Sequence, residues 1–526
     1  MTLDDYQESN WSIIMASLPH LTRSNPEAEG IPSPAVLEFI RSLEQHVHPM
    51  NAVQGFILLR HGNVAAEGWW SPYQPQFPHP LFSLSKSFTS TAIGLAVQEG
   101  LLTVDDPVLK FFPDEAPPSP SQNLKAMRVR HLLSMNTGHQ SDTTEHVYQH
   151  LHRVSPFGPW PHQKDYTNRQ GGKAGEENWP KVFLSLPVEN EPGTWFVYNT
   201  AATYMLSAIL TKLTGETLAD YLRTRLFKPL GIEDPYWESD PRGINLGGSG
   251  LHARTEDIAR FGQMYLEKGM WNGQRIVPEE WIGEATKSHS DNSNTQTNPD
   301  WTAGYGYQFW RCRPHCYRGD GAFGQYCIIL PEQDAVLAMI GGLQDMQTVL
   351  DKVWQHLLPA MQPKTLPADP GSYEALREKL TALSLPLPQG QPSSPSMSQW
   401  SGKVYKLATN FLGLDTVATE FGDRDSTLIL RDERGDHKIG VGYDAWLNGT
   451  TSFRGYANEP ISAAGAWTSE NSFEVRLCYP HSFFCPVLRC RYGSADLKIE
   501  VEPNVSWDLS TATQMLSASL ERNQGK

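Results

Sequence analysis

The sequence predicts an α+β domain, in which an antiparallel sheet packs against helices, followed by a separate all-β domain. Strand-like segments lie near both ends of the first 360 residues, with helical periodicity between them. A proline- and serine-rich stretch, "SLPLPQGQPSSPSMSQ", comes next, and only short strands and turns follow from Trp400. We therefore expect a first domain over 1–365, a linker with a short helix over 366–399 and an accessory β domain over 400–526.

Composition and charge exclude several classes of function. With 526 residues, 39% of them apolar and 19% charged, the chain can bury more than one core. A formal net charge of −15 without basic runs argues against a nucleic-acid partner. The N-terminal "MTLDDYQESNWSIIMASLPHL" is acidic where a secretory signal is basic, and no run reaches the roughly 18 apolar residues that span a membrane. We expect a cytoplasmic protein without a membrane span; its oligomeric state stays open.

The cysteines and histidines do not form a convincing metal site. A large chain without a secretory signal is expected to keep its six cysteines as free thiols. The stretch from Cys312 to Cys316 lacks the second ligand pair that structural zinc needs. Glu145, His146 and His150 do not complete an H-E-x-x-H motif and are assigned to a surface or lid. We expect neither a metal nor an organic cofactor.

The predicted elements of the first domain follow in chain order. Residues 55 to 69 predict a hairpin that turns at His61-Gly62-Asn63. A buried helix is predicted from about Ser83 to Gln98, stopped by Gly100. The segment 139–191 is rich in His, Trp and Gly and has little periodicity, which is typical of a substrate-binding loop or lid.

Two further helices and a group of strands complete this domain. One helix carries Met205, Ile209 and Leu213 on a single face and ends at Gly215, and the next starts at Thr255 as its N-cap. The segments "GYGYQFWRC", "AFGQYCIILP" and "AVLAMIGG" have the β-branched and aromatic content of strands.

Turn signals organise the C-terminal domain. Gly435 predicts a hairpin in "TLILRDERGDHKIGVGY", and Asn448-Gly449 predicts a turn in "AWLNGTTSF".

A serine and a lysine three residues apart open the predicted buried helix. Side chains at i and i+3 share a helix face, so Ser83 and Lys86 can meet. Burial lowers the pKa of a lysine, and the neutral amine can then take the proton of a serine nucleophile. Ser85 is the alternative nucleophile, although it lies next to Lys86 in sequence and adjacent helix residues do not face each other. The S-x-x-K spacing by itself is weak evidence.

The surrounding residues make the motif more specific. The stretch "LFSLSKSFTSTAIGLAVQEGLLTVDDPV" resembles the active-site helix of the serine β-lactamase and penicillin-binding-protein superfamily, in particular its class C-like esterase and peptidase branch. The resemblance extends over residues 30 to 360 and includes "VRHLLSMNTG", "PGTWFVYNTAATYMLSAILTKLTGETLADYL" and "GSGLHARTEDIARFGQMYLEKGMWNGQRIVPEEW". It implies the β-lactamase/DD-peptidase-like fold for the first domain.

The second motif of that family, Tyr-x-Asn, corresponds to residues 198–200. The resemblance implies that Tyr198 relays the proton between Ser83 and the leaving group, with a pKa lowered by Lys86. Thr200 stands where the family has Asn, so a hydroxyl replaces the amide that would contact substrate.

The third motif of the family, Lys-Thr-Gly or His-x-Gly, is absent in that form. Asp320 stands in place of the basic residue, followed by Gly321, Ala322, Phe323 and Gly324 as further candidate substrate-binding residues. A carboxylate here would repel the carboxylate of a penicillin or of a terminal D-alanine. Arg318 or Arg313 is an alternative source of the missing positive charge.

The resemblance implies a serine hydrolase that forms an acyl-enzyme with a small ester, amide or peptide substrate. Carboxylesterase, amidase and D-amino-acid peptidase activities stay open, as does a true β-lactamase. A homologue that lost catalysis and binds a ligand or partner is the alternative from another class.

The C-terminal domain is expected to supply no catalytic group, because every candidate residue precedes 330. The loop "CYPHSFFCP" either covers apolar surface of the first domain or brings Phe483 and Phe484 to the mouth of the site. The first of these two arrangements is the one we expect.

Overall fold

The computed structural model describes residues 21–45, 50–148, 154–155, 158–159, 178–233, 235–507 and 513–521. The first 20 residues, His150 and about half of the predicted lid, including 160–177, lie outside these ranges.

Six antiparallel strands form the sheet of the first domain. In chain order they are β1 (Ala52–Arg60), β2 (Asn63–Trp69), β3 (Trp310–Arg311), β4 (Tyr317–Gly321), β5 (Gln325–Leu330) and β6 (Ala335–Gly342). They are arranged in the order β3-β4-β5-β6-β1-β2, so the first strand of the domain pairs with the last. The predicted antiparallel sheet, built from both ends of the domain, is confirmed.

The hairpin between β1 and β2 turns where the sequence predicts it. Arg60 pairs with Asn63, and both residues of the turn are left-handed, with φ of 50° at His61 and 76° at Gly62. Two left-handed residues are the geometry of a two-residue hairpin turn, which matches the twist of the strands.

Helices pack on both sides of this sheet. Those of seven or more residues are α1 (Ser33–Leu43), α2 (Ser85–Gln98), α3 (Trp179–Ser185), α4 (Thr200–Thr214), α5 (Thr255–Leu266), α6 (Glu279–Thr286) and α7 (Pro370–Thr381). Shorter α-helices of five or six residues are Gln122–Ala126, Val129–Leu133, Leu218–Leu222 and Gln347–Lys352. No helix within the described ranges is long and apolar enough to cross a membrane.

Helix α2 is buried along most of its length, from Ser85 to Ala96. Its small residues permit close packing; at Gly94, for example, a Cβ would lie 2.4 Å from the ring of Trp281. The prediction placed Ser83 within this helix, whereas the structure has a 3₁₀ turn over Phe82–Leu84 before the α-helix starts. The serine therefore sits on the turn that leads into the buried helix.

Two details of the other predicted helices differ from the structure. Helix α4 ends with left-handed Gly215 as predicted; of the three residues predicted on its buried face, Met205 and Ile209 are in the core but Leu213 is exposed. Thr255 is the first residue of α5 and not its N-cap. Arg254 is the N-cap, and its backbone N–H donates to Asp257 Oδ2 at 2.9 Å.

The C-terminal domain is a ten-stranded barrel, which confirms the predicted all-β domain. Its strands are β7 (Val404–Leu407), β8 (Thr416–Phe421), β9 (Asp425–Asp432), β10 (Gly435–Gly442), β11 (Leu447–Thr451), β12 (Glu459–Ser469), β13 (Ser472–Cys478), β14 (Val487–Tyr492), β15 (Asp496–Glu502) and β16 (Gln514–Leu520). A parallel pairing between β10 and β12 closes the sheet. The hairpin at Gly435 is confirmed. The turn predicted at Asn448-Gly449 is wrong, because both residues pair with β12 inside β11.

The barrel docks on the first domain through buried contacts. Gln54 Nε2 donates to the carbonyl of Phe483 at 3.2 Å, and the Tyr73 hydroxyl donates to the carbonyl of Ser482 at 2.9 Å. Helix α7, which follows the first domain in sequence, packs on β2, where a Cβ on Gly68 would lie 3.1 Å from Leu380. The domain boundaries at 365 and 400 stay a prediction.

Candidate active site

Ser83 occupies a sharp turn that lies against strand β4. Phe82 has a φ of 47°, in the left-handed region that is uncommon for a bulky residue. A Cβ on Gly321 would lie 2.0 Å from the carbonyl oxygen of Leu81, so only glycine lets β4 approach the turn so closely. The turn keeps the Ser83 side chain partly exposed at the start of α2.

Lys86 lies directly below this serine, with a side chain that is 1% exposed. Its Nζ is 2.9 Å from Ser83 Oγ and donates to Thr200 Oγ1 at 3.0 Å and to the carbonyl of Gly248 at 2.7 Å. Burial lowers the pKa of Lys86 to about 7, although the charges of Asp142 and Asp320 act in the opposite direction. The amine therefore loses its proton near neutral pH.

The alternative nucleophile, Ser85, does not share this environment. It is fully buried, and its Oγ accepts the backbone N–H of Leu251 at 3.1 Å. Its hydroxyl has a structural partner at the start of α2, so Ser83 is the serine presented to the site.

Tyr198 completes the group around the serine. Its ring centroid lies 4.9 Å from Lys86 Nζ, and its side chain lies near enough to Ser83 for the serine to affect the pKa of the phenol. The ring is stacked on Trp310 with centroids 5.2 Å apart, which holds it in place. Burial and the charge of Asp320 raise the pKa of Tyr198, with Ser83 acting in the opposite direction. The predicted lowering of this pKa is therefore wrong, because the loss of water around the buried phenol is the largest cause and raises it.

The other residues of the second motif support this arrangement. Asn199 caps α4, since its Oδ1 accepts the N–H of Ala202 at 3.3 Å. Thr200 is the first residue of that helix, and its hydroxyl meets Lys86. Thr144 Oγ1 accepts the N–H of Thr200 at 3.1 Å, which fixes the backbone at this point.

Asp320 forms a buried ion pair on β4. Arg318 Nε donates to Asp320 Oδ2 at 2.8 Å, and the two side chains are 0% and 5% exposed respectively. Burial raises the pKa of Asp320, and the Arg318 charge opposes this shift. Arg318 also donates to the carbonyl of Asp300 at 2.7 Å and lies over the ring of Trp301. Arg313 binds the Asp300 carboxylate at 2.8 Å. Both arginines that were considered as the source of the missing positive charge are therefore paired with carboxylates of the protein.

The turn between β4 and β5 holds the remaining candidate residues. The carbonyl of Ala322 accepts from Gln325 Nε2 at 3.1 Å, and Phe323 and Gly324 are left-handed with φ of 66° and 94°. Gly321 packs on the Ser83 turn, and the Phe323 ring is 5.7 Å from that of Phe82. Gly324 instead packs on Leu343, so it is the candidate least directed toward the serine.

The loop "CYPHSFFCP" reaches the residue that precedes the serine. The ring centroid of Phe483 lies 4.9 Å from that of Phe82 and 4.8 Å from that of Phe323. The loop thus covers apolar surface of the first domain at the turn that holds Ser83, and Phe483 is almost fully buried in this contact. Phe484 contacts Phe483 and belongs to the core of the barrel.

Sequence reasoning missed several residues at this site. Gly248 lies in "GGSGL", a glycine-rich stretch that marked a close backbone approach; a Cβ there would lie 2.7 Å from the carbonyl of Thr200. Asp142, whose charge acts on the pKa of Lys86, lies in the segment 139–191 that the sequence assigned to a lid, and it was not singled out there. Trp507 lies 5.5 Å from Phe82, ring to ring, and no sequence pattern links the two.

The described residues contain no group of three or more His, Cys, Asp or Glu side chains arranged to hold a metal ion. Cys312 was considered above as a zinc ligand. Its Sγ accepts a hydrogen bond from Arg318 Nη1 at 3.0 Å, so this sulfur has a protein partner.

Comparison with known proteins gives the wider context of this geometry. The 6-aminohexanoate-dimer hydrolase of Paenarthrobacter ureafaciens is 25% identical over 370 residues, which cover 66% of this chain and 89% of that protein. A provisionally named D-alanyl-D-alanine carboxypeptidase of Escherichia coli strain K12 is 22% identical over 293 residues, covering 50% of this chain and 63% of that protein. The octameric penicillin-binding protein homologue from Pyrococcus abyssi aligns with a TM-score of 0.48 at 16% identity, covering 92% of this chain and 99% of that chain.

The sequence model of the family described as Beta-lactamase matches residues 43–346, more than half of the chain. That range includes the Ser83 turn, Lys86, Tyr198 and strands from both ends of the sheet. The chain belongs to the β-lactamase family.

Proposed function

We propose that this protein is a serine hydrolase that cleaves ester or amide bonds of small substrates through an acyl-enzyme on Ser83. The observation that supports this most directly is the 2.9 Å distance between Ser83 Oγ and the buried Nζ of Lys86. A lysine with a pKa of about 7 is half neutral at physiological pH, which suits a general base.

The partners of Lys86 direct its lone pair toward the serine. A neutral amine has two N–H groups, and Thr200 Oγ1 and the carbonyl of Gly248 accept both. The remaining lone pair then receives the proton of Ser83 as Oγ attacks the substrate carbonyl carbon.

Tyr198 carries that proton onward. Its raised pKa keeps the phenol protonated, so it acts as a donor to the leaving oxygen or nitrogen and is reprotonated from Lys86. The backbone N–H of Ser83 and one from the 319–325 segment are proposed to hold the oxyanion, because β4 packs on the Ser83 turn at Gly321. Water then attacks the acyl-enzyme, with Lys86 and Tyr198 as the proton carriers.

The surroundings of β4 favour substrates without a carboxylate beside the scissile bond. Although Asp320 is paired with Arg318, its charge affects the pKa of Tyr198 more than that of Arg318 does, and it also acts on Lys86; the side chain of Arg318 has no exposed surface from which to bind a substrate anion. Neutral esters and linear amides are therefore preferred over penicillins and peptides that end in D-alanine. The relative named 6-aminohexanoate-dimer hydrolase is consistent with an amide substrate. Thr200, Asp320 and the turn from Gly321 to Gly324 are proposed to line the substrate site.

Intact-mass spectrometry with four acyl donors tests the proposal. The protein is incubated with p-nitrophenyl acetate, a linear N-acyl anilide, a D-alanyl-D-alanine peptide and a penicillin, and the acyl adduct is measured. We expect a burst of p-nitrophenol and an adduct with the ester, both lost in Ser83→Ala and kept in Ser85→Ala. An adduct with the penicillin and its turnover would instead support a β-lactamase.

The absence of any adduct with all four donors and with a fluorophosphonate would support a homologue that binds ligands without catalysis. An adduct that survives in Ser83→Ala but not in Ser85→Ala would show that Ser85 is the nucleophile.

A further inference from the structure

We infer that the acyl subsite is built across the two domains, with Phe82 and Trp507 forming an apolar wall beside Ser83 that binds an apolar acyl group. This inference rests on the proposed acyl-enzyme and adds the class of acyl group and a specificity-determining residue, Trp507, from the barrel.

The wall consists of two accessible rings on a buried aromatic support. Phe82 is partly exposed and Trp507 is 48% exposed, and their centroids are 5.5 Å apart with planes at 76°. Behind them lie the buried rings of Phe323 and Phe483, 4.7 Å from Trp507 and 4.9 Å from Phe82 respectively. Edge-to-face packing of this kind fixes the orientation of each ring.

The backbone next to Trp507 is fixed by the first domain. Gln344, just after β6, accepts the N–H of Ser506 at 2.8 Å and donates to the carbonyl of the same residue at 3.0 Å. The carbonyl of Phe483 accepts from Gln54 at 3.2 Å and from Asn504 at 2.8 Å, and the Asn504 side chain is fully buried. A large ring that is half exposed on such a rigid backbone is a preformed apolar contact surface.

The position of the wall indicates which part of the substrate it contacts. Phe82 is the residue before the nucleophile, and Phe323 follows Gly321 in the segment proposed to hold the oxyanion. A group on the acyl side of the scissile carbonyl lies beside these donors throughout both steps. A branched, long or aromatic acyl group would bury apolar surface of Phe82 and Trp507 that is in water in the free protein.

The test compares two esters with the same leaving group. The ratio of kcat/KM for p-nitrophenyl hexanoate to that for p-nitrophenyl acetate is measured in the full-length protein and in Trp507→Ala, Trp507→Phe and Phe411→Ala. We expect the ratio to fall about tenfold in Trp507→Ala and less in Trp507→Phe, since a hydrophobic contact discriminates acyl groups by roughly this factor. Phe411 is an exposed aromatic residue of the same barrel, after β7, and its replacement should leave the ratio unchanged.

An unchanged ratio in Trp507→Ala would overturn the inference, because a leaving-group or purely structural role affects both esters equally. If the wild-type protein hydrolyses neither ester, the proposed function fails, and the apolar wall is tested separately by ligand binding. Binding of hexanamide to Ser83→Ala is then measured by saturation-transfer NMR. Transfer that disappears in Ser83→Ala/Trp507→Ala supports the wall; transfer that is absent from the start or insensitive to Trp507 refutes it.

Discussion

The amine of Lys86 lies 2.9 Å from the hydroxyl of Ser83, on a lysine side chain that is almost entirely buried. Burial keeps this amine near its neutral form, and the turn over Phe82–Leu84 presents the serine to solvent. The predictions below separate this chemical role from a structural one.

Replacing Lys86 by alanine should lower turnover of p-nitrophenyl acetate by about a thousandfold or more, the scale found when one member of a nucleophile–base unit is removed. The fold should persist, as measured by circular dichroism. Lys125→Ala, at an exposed position of the short helix Gln122–Ala126, is the control. Activity within tenfold of wild type would show that Lys86 is structural.

The rate of acylation should follow the ionisation of Lys86. The neutral amine is the form that accepts the serine proton, and it predominates above its pKa of about 7. We therefore expect kcat/KM for a neutral ester to fall as pH drops through about 7, tenfold per unit at the acidic limb. A profile that is flat between pH 5 and pH 9 would contradict this assignment.

Lys86 should also make stability depend on pH. Its pKa is about 7 in the folded protein and 10.5 in the unfolded chain, so the unfolded state binds more protons between these values. The cost of burying this lysine is full below pH 7 and disappears as pH rises toward 10.5. Relative to Lys86→Met, the wild-type free energy of unfolding should rise by on the order of a few kcal/mol between pH 6.5 and pH 9.5. Denaturant unfolding of both proteins at the two pH values measures this, and a constant difference would be evidence against a lowered pKa.

Tyr198→Phe should reduce turnover by about a hundredfold or more, because the phenol is the proposed proton donor to the leaving group. The loss should be non-additive with that of Lys86→Ala, since both act on the proton of Ser83. A double variant whose losses simply multiply would mean that the two residues do not work as a unit. Steady-state hydrolysis of an N-acyl anilide, whose amine leaving group must be protonated, is measured in the three variants to decide this.

Asp320→Asn should destabilise the protein by about 3 to 5 kcal/mol, because it leaves the charge of buried Arg318 without its carboxylate. Arg318→Met/Asp320→Leu should restore part of that stability, since it removes both charges. Asp436→Asn removes an exposed partner of Arg431 and should cause no measurable change. Thermal unfolding compares the variants; a loss no larger than that of the control would show that the pair on β4 is not a buried ion pair.

The order of elements and the proximity of Ser83 to Lys86 could be predicted from the sequence alone. Segments rich in β-branched and aromatic residues predicted the sheet from both ends of the first domain, and short strands with turn signals between them predicted the all-β second domain. His61-Gly62 specified its hairpin because only a left-handed pair fits that turn. The i, i+3 spacing brought Ser83 and Lys86 together because the backbone between them is helical. These are local consequences of backbone geometry, so neighbouring residues sufficed to predict them.

Tertiary structure decided what depends on distant segments. The pKa of Tyr198 follows from burial and from Asp320 on another strand, and its direction was opposite to the one expected from the neighbouring lysine. Asn448-Gly449 became part of a strand because pairing with β12 outweighed its turn preference. The contacts of Gly248 with Lys86 and of Trp507 with Phe82 join distant segments, and no periodicity in the sequence indicates them. Contacts between residues far apart in sequence, and the loss of water around buried groups that these contacts cause, arise only when the chain packs into its tertiary structure.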